Sequence, residues 1–260
     1  MKKLLMLIAI ILFGNSVIAQ NKLYLLFEFM KVEAAQEGAY LETETFWQKI
    51  QEQRTKNGDI IGWDLWSLQP GGKDQGYQYL TVTLYNDPVK MMSGAGNFEA
   101  AIKAAYPKMS EEEFNEKFIS TAKSRDLAVR IYLEQIASTK DDFKMPIGTI
   151  AGINLMKVSD ANFENYEKFE NEIFKPYAQK EIEAGNRGNW GLMRCMLPMG
   201  SDVYATHITS DMYEDYKQLF NNNMTDYSTI SEAETKKFQD GLATRDMKYK
   251  YMGTLIKKVR

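Results

Sequence analysis

The side chains best suited to chemistry are few in this chain, and their scarcity narrows the reactions open to it. His207 is the single histidine and Cys195 the single cysteine among 260 residues. A zinc site gathers several His, Cys or carboxylate ligands, so one of each supplies too few soft donors and no metal is expected. Cys195 and His207 fall on neighbouring predicted strands, but side chains alternate along a strand, and parity puts the two on opposite faces, against a nucleophile and base pair. Ser93-Gly94-Ala95-Gly96 lacks the Lys-Ser or Lys-Thr that would follow a phosphate cradle. Met91-Met92 reads as core filler. What remains is a set of ionisable and aromatic residues on predicted strands, with Glu28 as a candidate acid or base and Arg130 or Lys250 as anchors for an anion.

The elements that must position them are written twice. Phe29-Met30-Lys31-Val32 returns as Leu155-Met156-Lys157-Val158, and Ser124-Arg125-Asp126-Leu127 returns as Thr244-Arg245-Asp246-Met247. Between these landmarks Trp63 is echoed by Trp190 and Tyr79 by Tyr204. A repeat of this length is a duplicated domain rather than a solenoid. In the first copy, residues 23–32 read as a strand, 36–56 as a helix with apolar spacing through Tyr40, Phe46, Trp47 and Ile50, and 60–68 and 77–85 as a hairpin around the turn 70–74. A helix starts at Asp87-Pro88, residues 97–123 are helical in two pieces, the second opened by the capping box Ser110 to Glu113, and 127–135 is the fourth strand. The second copy repeats the order: strand 149–158, a helix from Ser159 to Ala184 kinked at Pro176, strands 190–197 and 203–209, a helix near Tyr213, a second capping box at Ser231, and strand 247–256. This gives a first repeat over 20–137, a linker over 138–146 and a second repeat over 147–260.

The order strand, helix, strand, strand, helix, strand is the ferredoxin-like plait, an α+β fold with helices on one sheet face only. Two such repeats in tandem can press their bare antiparallel sheets face to face and close an intramolecular α/β barrel. In this the chain resembles the dimeric α/β-barrel superfamily, with its monooxygenase, EthD-like, NIPSNAP-like and chlorite dismutase branches, and more closely a group of exported bacterial proteins sharing runs such as Gly62-Trp63-Asp64-Leu65-Trp66-Ser67-Leu68-Gln69-Pro70-Gly71-Gly72. The resemblance implies fold and not activity. Relatives that bind haem use a histidine on a helix, whereas His207 falls on a strand and aligns with Val82 on the apolar side, so no haem or other cofactor is expected.

Parity splits each strand into a helix-facing and a barrel-facing row. Leu25, Phe27 and Phe29, Trp63 and Leu65, Leu80, Val82 and Leu84, and Leu127, Val129 and Ile131 are expected under the helices. The opposite rows hold Glu28, Asp64, Trp66, Tyr79, Arg130, Tyr132 and Glu134, with Asn154 and Lys250 from the second copy, and are expected to converge inside the barrel. Such a cavity would hold a small, partly apolar molecule and could support a monooxygenase- or isomerase-like reaction. The same side chains would equally fill an interface between two sheets in a structural or protein-binding module. Arg125-Asp126 and Arg245-Asp246, at both helix-to-strand junctions, are read as structural ties.

Met1-Lys2-Lys3, an apolar run over 4–13 and a small-residue exit read as a secretory signal cut after Ala19, which places the mature chain in the periplasm or medium without a stable membrane anchor. A single cysteine cannot close a disulfide within the chain, so packing must hold both cores. Loss of Lys2 and Lys3 leaves 30 basic against 35 acidic residues, a net of −5, against nucleic-acid binding. Nothing in the sequence sets an oligomeric state.

Overall fold

Every strand of the structure finds a neighbour on both sides. The computed structural model describes residues 22–70, 76–94, 96–221 and 231–260; the segment expected as a secretory signal and most of the turn expected over 70–74 lie outside them. In the first half β1 (Tyr24–Lys31) leads into α1 (Glu37–Lys56), β2 (Gly62–Gln69) and β3 (Tyr79–Tyr85). Three helices follow, α2 (Pro88–Ser93), α3 (Phe98–Ala105) and α4 (Glu111–Thr121), before β4 (Asp126–Ser138). The second half has β5 (Ile150–Lys157), a helical stretch formed by α5 (Phe163–Phe169), a π-turn (Glu170–Phe174) and α6 (Lys175–Glu183), then β6 (Asn189–Leu197), β7 (His207–Tyr213), α7 (Tyr216–Leu219), α8 (Glu232–Leu242) and β8 (Asp246–Val259).

The strands close in the order β1-β3-β2-β8-β5-β7-β6-β4, all neighbours antiparallel. Each half contributes four strands, and the seams are β2 with β8 and β6 with β4. Closure pairs the edge strands that each half would otherwise leave with unmet amides and carbonyls.

Local signals fix the helix ends. Ser110 and Ser231 each accept the amide three residues on while Glu113 and Glu234 reach back to the cap amide, so both capping boxes form. The predicted kink in the second copy is the π-turn just before Pro176. Its cause is countable: Tyr40 and Tyr166 are 126 positions apart, but Gly58 and Gly185, which end the two helices with positive φ, are 127 apart. The extra residue is absorbed as one wide turn, where Pro176 has no amide to give.

Three cores result. Residues from all eight strands, among them Phe27, Phe29, Trp66, Leu80, Leu133, Ile153, Met193 and Leu255, fill the barrel. Met30, Tyr40, Ile60, Trp63 and Leu65 pack under the first set of helices, and Met156, Val158, Tyr166, Trp190 and Leu192 repeat that cluster in the second half. Each fully buried Leu, such as Leu65 or Leu192, contributes about 2 kcal/mol.

Three expectations change. The strand expected over 203–209 runs instead over His207–Tyr213, so Tyr204 lies before it and His207, opposite Met156, holds the place that Tyr79 holds opposite Met30. The helix expected near Tyr213 begins at Tyr216. The face assignment is inverted for β1, β3 and β4, and likewise for β5 and β8, whose Asn154 and Lys250 face outward. Trp66 pairs with Leu80 and Phe27 with Val82, so the apolar row of β1 and β3 joins Trp66 and Leu68 inside the barrel, while the row of Glu28 and Arg130 turns out to the helices. The physical reason is space: the interior of an eight-stranded barrel is narrow and filled mainly by its own side chains, and apolar ones need no partners there.

Candidate functional site

Of the nine candidate residues only Asp64 and Trp66 point into the barrel; Glu28, Tyr79, Arg130, Tyr132, Glu134, Asn154 and Lys250 lie on the outward rows. The expected convergence of all nine therefore fails. The outward row of the first sheet is nevertheless covered by helices and lines a cavity.

Glu28, Thr81, Thr83, Arg130 and Tyr132 form the floor of a cavity of about 500 Å³ between the first sheet and helices α1 to α3. Arg130 donates from Nε at 3.0 Å and from Nη2 at 2.7 Å to one oxygen of Glu28, and Thr81 donates to the other at 3.4 Å. The roof is a stripe of α1. Glu44, Trp47, Gln51 and Arg54, spaced by three or four residues, share one helix face and all line the cavity. That spacing was present in the sequence, but an apolar pattern through Phe46 and Ile50 masks it. Arg54 is held by Gln51 at 3.1 Å and stands over the Phe98 ring at 5.8 Å.

Glu44 is 1% exposed and bonded to Arg125. Burial pushes its carboxyl up to about 7, against the pull of the Arg125 charge, so at neutral pH it both gives and takes a proton. Arg125 thus reaches the site that Arg125-Asp126 had suggested only as a structural tie. The second half repeats the arrangement with Tyr166, Glu170 and Arg245, the Arg245 Nε lying 3.8 Å from Glu170, and burial lifts Glu170 to about 7 as well.

The remaining candidates do other work. Tyr79 packs on Tyr40 with ring centroids 4.5 Å apart and donates to Glu37 at 3.4 Å; burial, then the Glu37 charge, lift its phenol to about 12. Glu134 bonds Lys22 and accepts from Arg194 at 3.0 Å, joining β4 to β6. Asn154 donates to Thr209 at 3.1 Å and to Asp211 at 3.0 Å, with Asp211 also held by Arg187 at 2.7 Å. Lys250 sits opposite Asn154 and is exposed. These interactions tie the outer row of the second sheet to itself.

His207 faces the helices as expected, between the rings of Phe163 and Tyr166, with Nε2 3.0 Å from Glu167 and Nδ1 3.1 Å from Thr206. Burial holds its pKa below the usual imidazole value, outweighing Glu167. Cys195 points the other way into the barrel, so the two do not meet. Among the described residues no group of three or more His, Cys, Asp or Glu is placed to hold a metal ion, and no helix is long and apolar enough to cross a membrane.

No model of a known protein family matches the chain, and no curated protein matches it in sequence. Solved structures do match in shape. An anthrone oxidase-like protein superposes with a TM-score of 0.55 at 9% identity, over 92% of this chain and 93% of its own. A protein from Fusobacterium nucleatum subsp. nucleatum ATCC 25586 reported as a "putative monooxygenase" gives 0.54 at 12% identity, over 92% and 94%. At such identities the likeness speaks for the fold alone, a ferredoxin-like α+β fold whose eight antiparallel strands close into a barrel.

Proposed function

We propose that the first repeat binds a small anion with an aromatic or otherwise apolar body, between its sheet and helices α1 to α3. The observation that carries this reading is the lining of the 500 Å³ cavity: Arg54, Arg125 and Arg130 against Glu28 and Glu44, beside Trp47, Trp63 and Phe98. Three guanidinium groups against at most two carboxylate charges leave an excess positive charge, larger while Glu44 is protonated. A planar anion matches both features, taking a forked hydrogen bond from Arg130 and stacking on the rings.

A second reading is enzymatic. Glu44 titrates near neutrality inside this cavity, the condition for a group that removes a proton from a bound molecule. This supports a cofactor-independent isomerase- or monooxygenase-like activity, and the names of the two structural neighbours are compatible with it. The leader-like N-terminal sequence supports export to the periplasm or medium.

Calorimetric titration with 2-naphthoate tests the binding reading. Arg130→Ala should weaken binding at least tenfold, since a charge-assisted fork is lost. Glu28→Gln should tighten it, because Glu28 competes with the ligand for Arg130. Absence of binding, or equal affinity in all three proteins, would refute the site.

A further inference from the structure

The barrel interior holds a second cavity of different character, about 240 Å³ at one end of the inner core. It arises where the two halves differ. Leu25 and Val82 on the first sheet correspond by register to Ala151 and Ser210 on the second, since Leu25 faces Leu84 as Ala151 faces Met212, and Phe27 faces Val82 as Ile153 faces Ser210. Asp64, opposite Val82, corresponds to Gly191, opposite Ser210. Three large side chains of one half thus meet three small ones in the other, and the difference is left as space.

Among the described residues its only charged lining groups are Asp64 and Arg260, and they satisfy each other through two bonds of 2.8 and 2.9 Å. The Asp64 side chain is 4% exposed while Arg260 is 37% exposed, so the pair stands at the rim with the guanidinium outward. The pairing is built in: a Cβ on Gly62 would come within 2.6 Å of Arg260 Nη1.

The other side of the rim is the segment joining β4 to β5. Lys258 donates to the carbonyls of Lys144 and Met145 at 2.6 and 3.0 Å. Met145 has φ +50°, a left-handed conformation that a non-glycine residue holds only against a cost, and it turns the thioether onto the inner core. Phe143 lies beside it, pressed against Gly188 so closely that a Cβ there would meet its ring at 2.6 Å. Methionine adapts its shape to what it covers.

We propose that this interior cavity is a ligand site for an uncharged, largely apolar molecule of bicyclic size, which enters past Phe143 and Met145. A cavity of about 150 Å³ lined by Leu, Ile and Phe holds one benzene ring, so 240 Å³ suits roughly two fused rings. A charged ligand is disfavoured because Asp64 and Arg260 have no charge to spare. Ser210 and Gln135 at the wall can serve a single hydroxyl or carbonyl. The site is separate from the outer cavity and takes the opposite class of ligand.

The test is ¹⁹F NMR with 1-fluoronaphthalene on the whole protein. A bound resonance should appear, persist in excess 2-naphthoate, and weaken at least tenfold in Ala151→Leu, which fills the space. Phe143→Ala keeps the cavity but opens its rim and should speed ligand exchange tenfold or more, a readout that holds even if Ala151→Leu does not fold. Lack of a bound signal, displacement by 2-naphthoate, undiminished binding in folded Ala151→Leu, or unchanged exchange in Phe143→Ala would each overturn the proposal.

Discussion

Substituting Glu44 by Gln should change how stability responds to pH more than it changes stability itself. In the folded protein burial raises this carboxyl from the ordinary 4.5 to about 7, so between those values the folded state holds a proton that the unfolded state has released. Unfolding free energy must then fall as pH rises: the contribution is fully present below 4.5 and is lost as pH climbs through 7. At 1.36 kcal/mol per pKa unit the total loss is about 3 kcal/mol, of which about 2 kcal/mol falls between pH 5 and pH 7. A glutamine mimics the protonated form at every pH. Urea unfolding of both proteins at pH 5, 6, 7 and 8, analysed as differences at each pH, cancels the other titrating groups. Glu44→Gln should gain about 2 kcal/mol on the wild type from pH 5 to pH 7 and little beyond pH 8. A difference that stays flat across this range would mean that Glu44 is ionised in the fold throughout, and would remove the proton-transfer reading of the cavity. Glu170, raised to about 7 by its own burial, should give the same signature in Glu170→Gln, with no effect on 2-naphthoate binding.

Two further outcomes follow from packing. In Gly241→Ala the new Cβ would sit 1.9 Å from Phe169, whose ring is edge-on to Phe174 and Phe238; overpacking of about 1–3 kcal/mol should outweigh the helix-propensity gain of about 1 kcal/mol and lower Tm in a thermal melt, and an unchanged or higher Tm would contradict that packing. Cys195 is buried in the barrel with its thiol pushed up to about 12, so 5,5′-dithiobis(2-nitrobenzoate) at pH 7.5 should label it only as fast as the barrel opens and rapidly in 8 M urea; fast labelling of the folded protein would place it elsewhere.

Much of the architecture could be read from the chain because its signals are local. The duplicated runs, the capping boxes at Ser110 and Ser231 and the alternation that separates Cys195 from His207 all act within a few residues. Which face of each strand looks into the barrel is not local. In β2 both rows are apolar, Trp63 and Leu65 outward and Trp66 and Leu68 inward, so alternation alone leaves the choice open. The pairing of Trp66 with Leu80 decides it, and that register depends on the hairpin and on closure with β8. The outer cavity was hidden for the same reason: Glu28 and Arg130 look like barrel-facing residues until α1 lays Glu44, Trp47, Gln51 and Arg54 over them.

The two halves sort these residues by role. Tyr40, Glu44, Trp63 and Arg125 keep their types at Tyr166, Glu170, Trp190 and Arg245, under both sets of helices, so the buried Tyr-Glu-Arg group belongs to the common scaffold. The positions around it diverge. Glu28 becomes Asn154, Thr83 becomes Asp211, and beyond the π-turn Gln51 becomes Ala178 and Arg54 becomes Glu181. In the second half these changes put carboxylates where the first half has a threonine and an arginine, and Asp211 binds Arg187 and Asn154 rather than leaving positive charge over the sheet. The proposed anion site is thus restricted to the first repeat by Arg54 and Gln51. Glu44 owes its raised pKa to the scaffold and its access to a ligand to those divergent neighbours. A double exchange, Gln51→Ala with Arg54→Glu, should abolish 2-naphthoate binding while leaving the pH signature of Glu44 in place; loss of both together would show that cavity and scaffold are one unit.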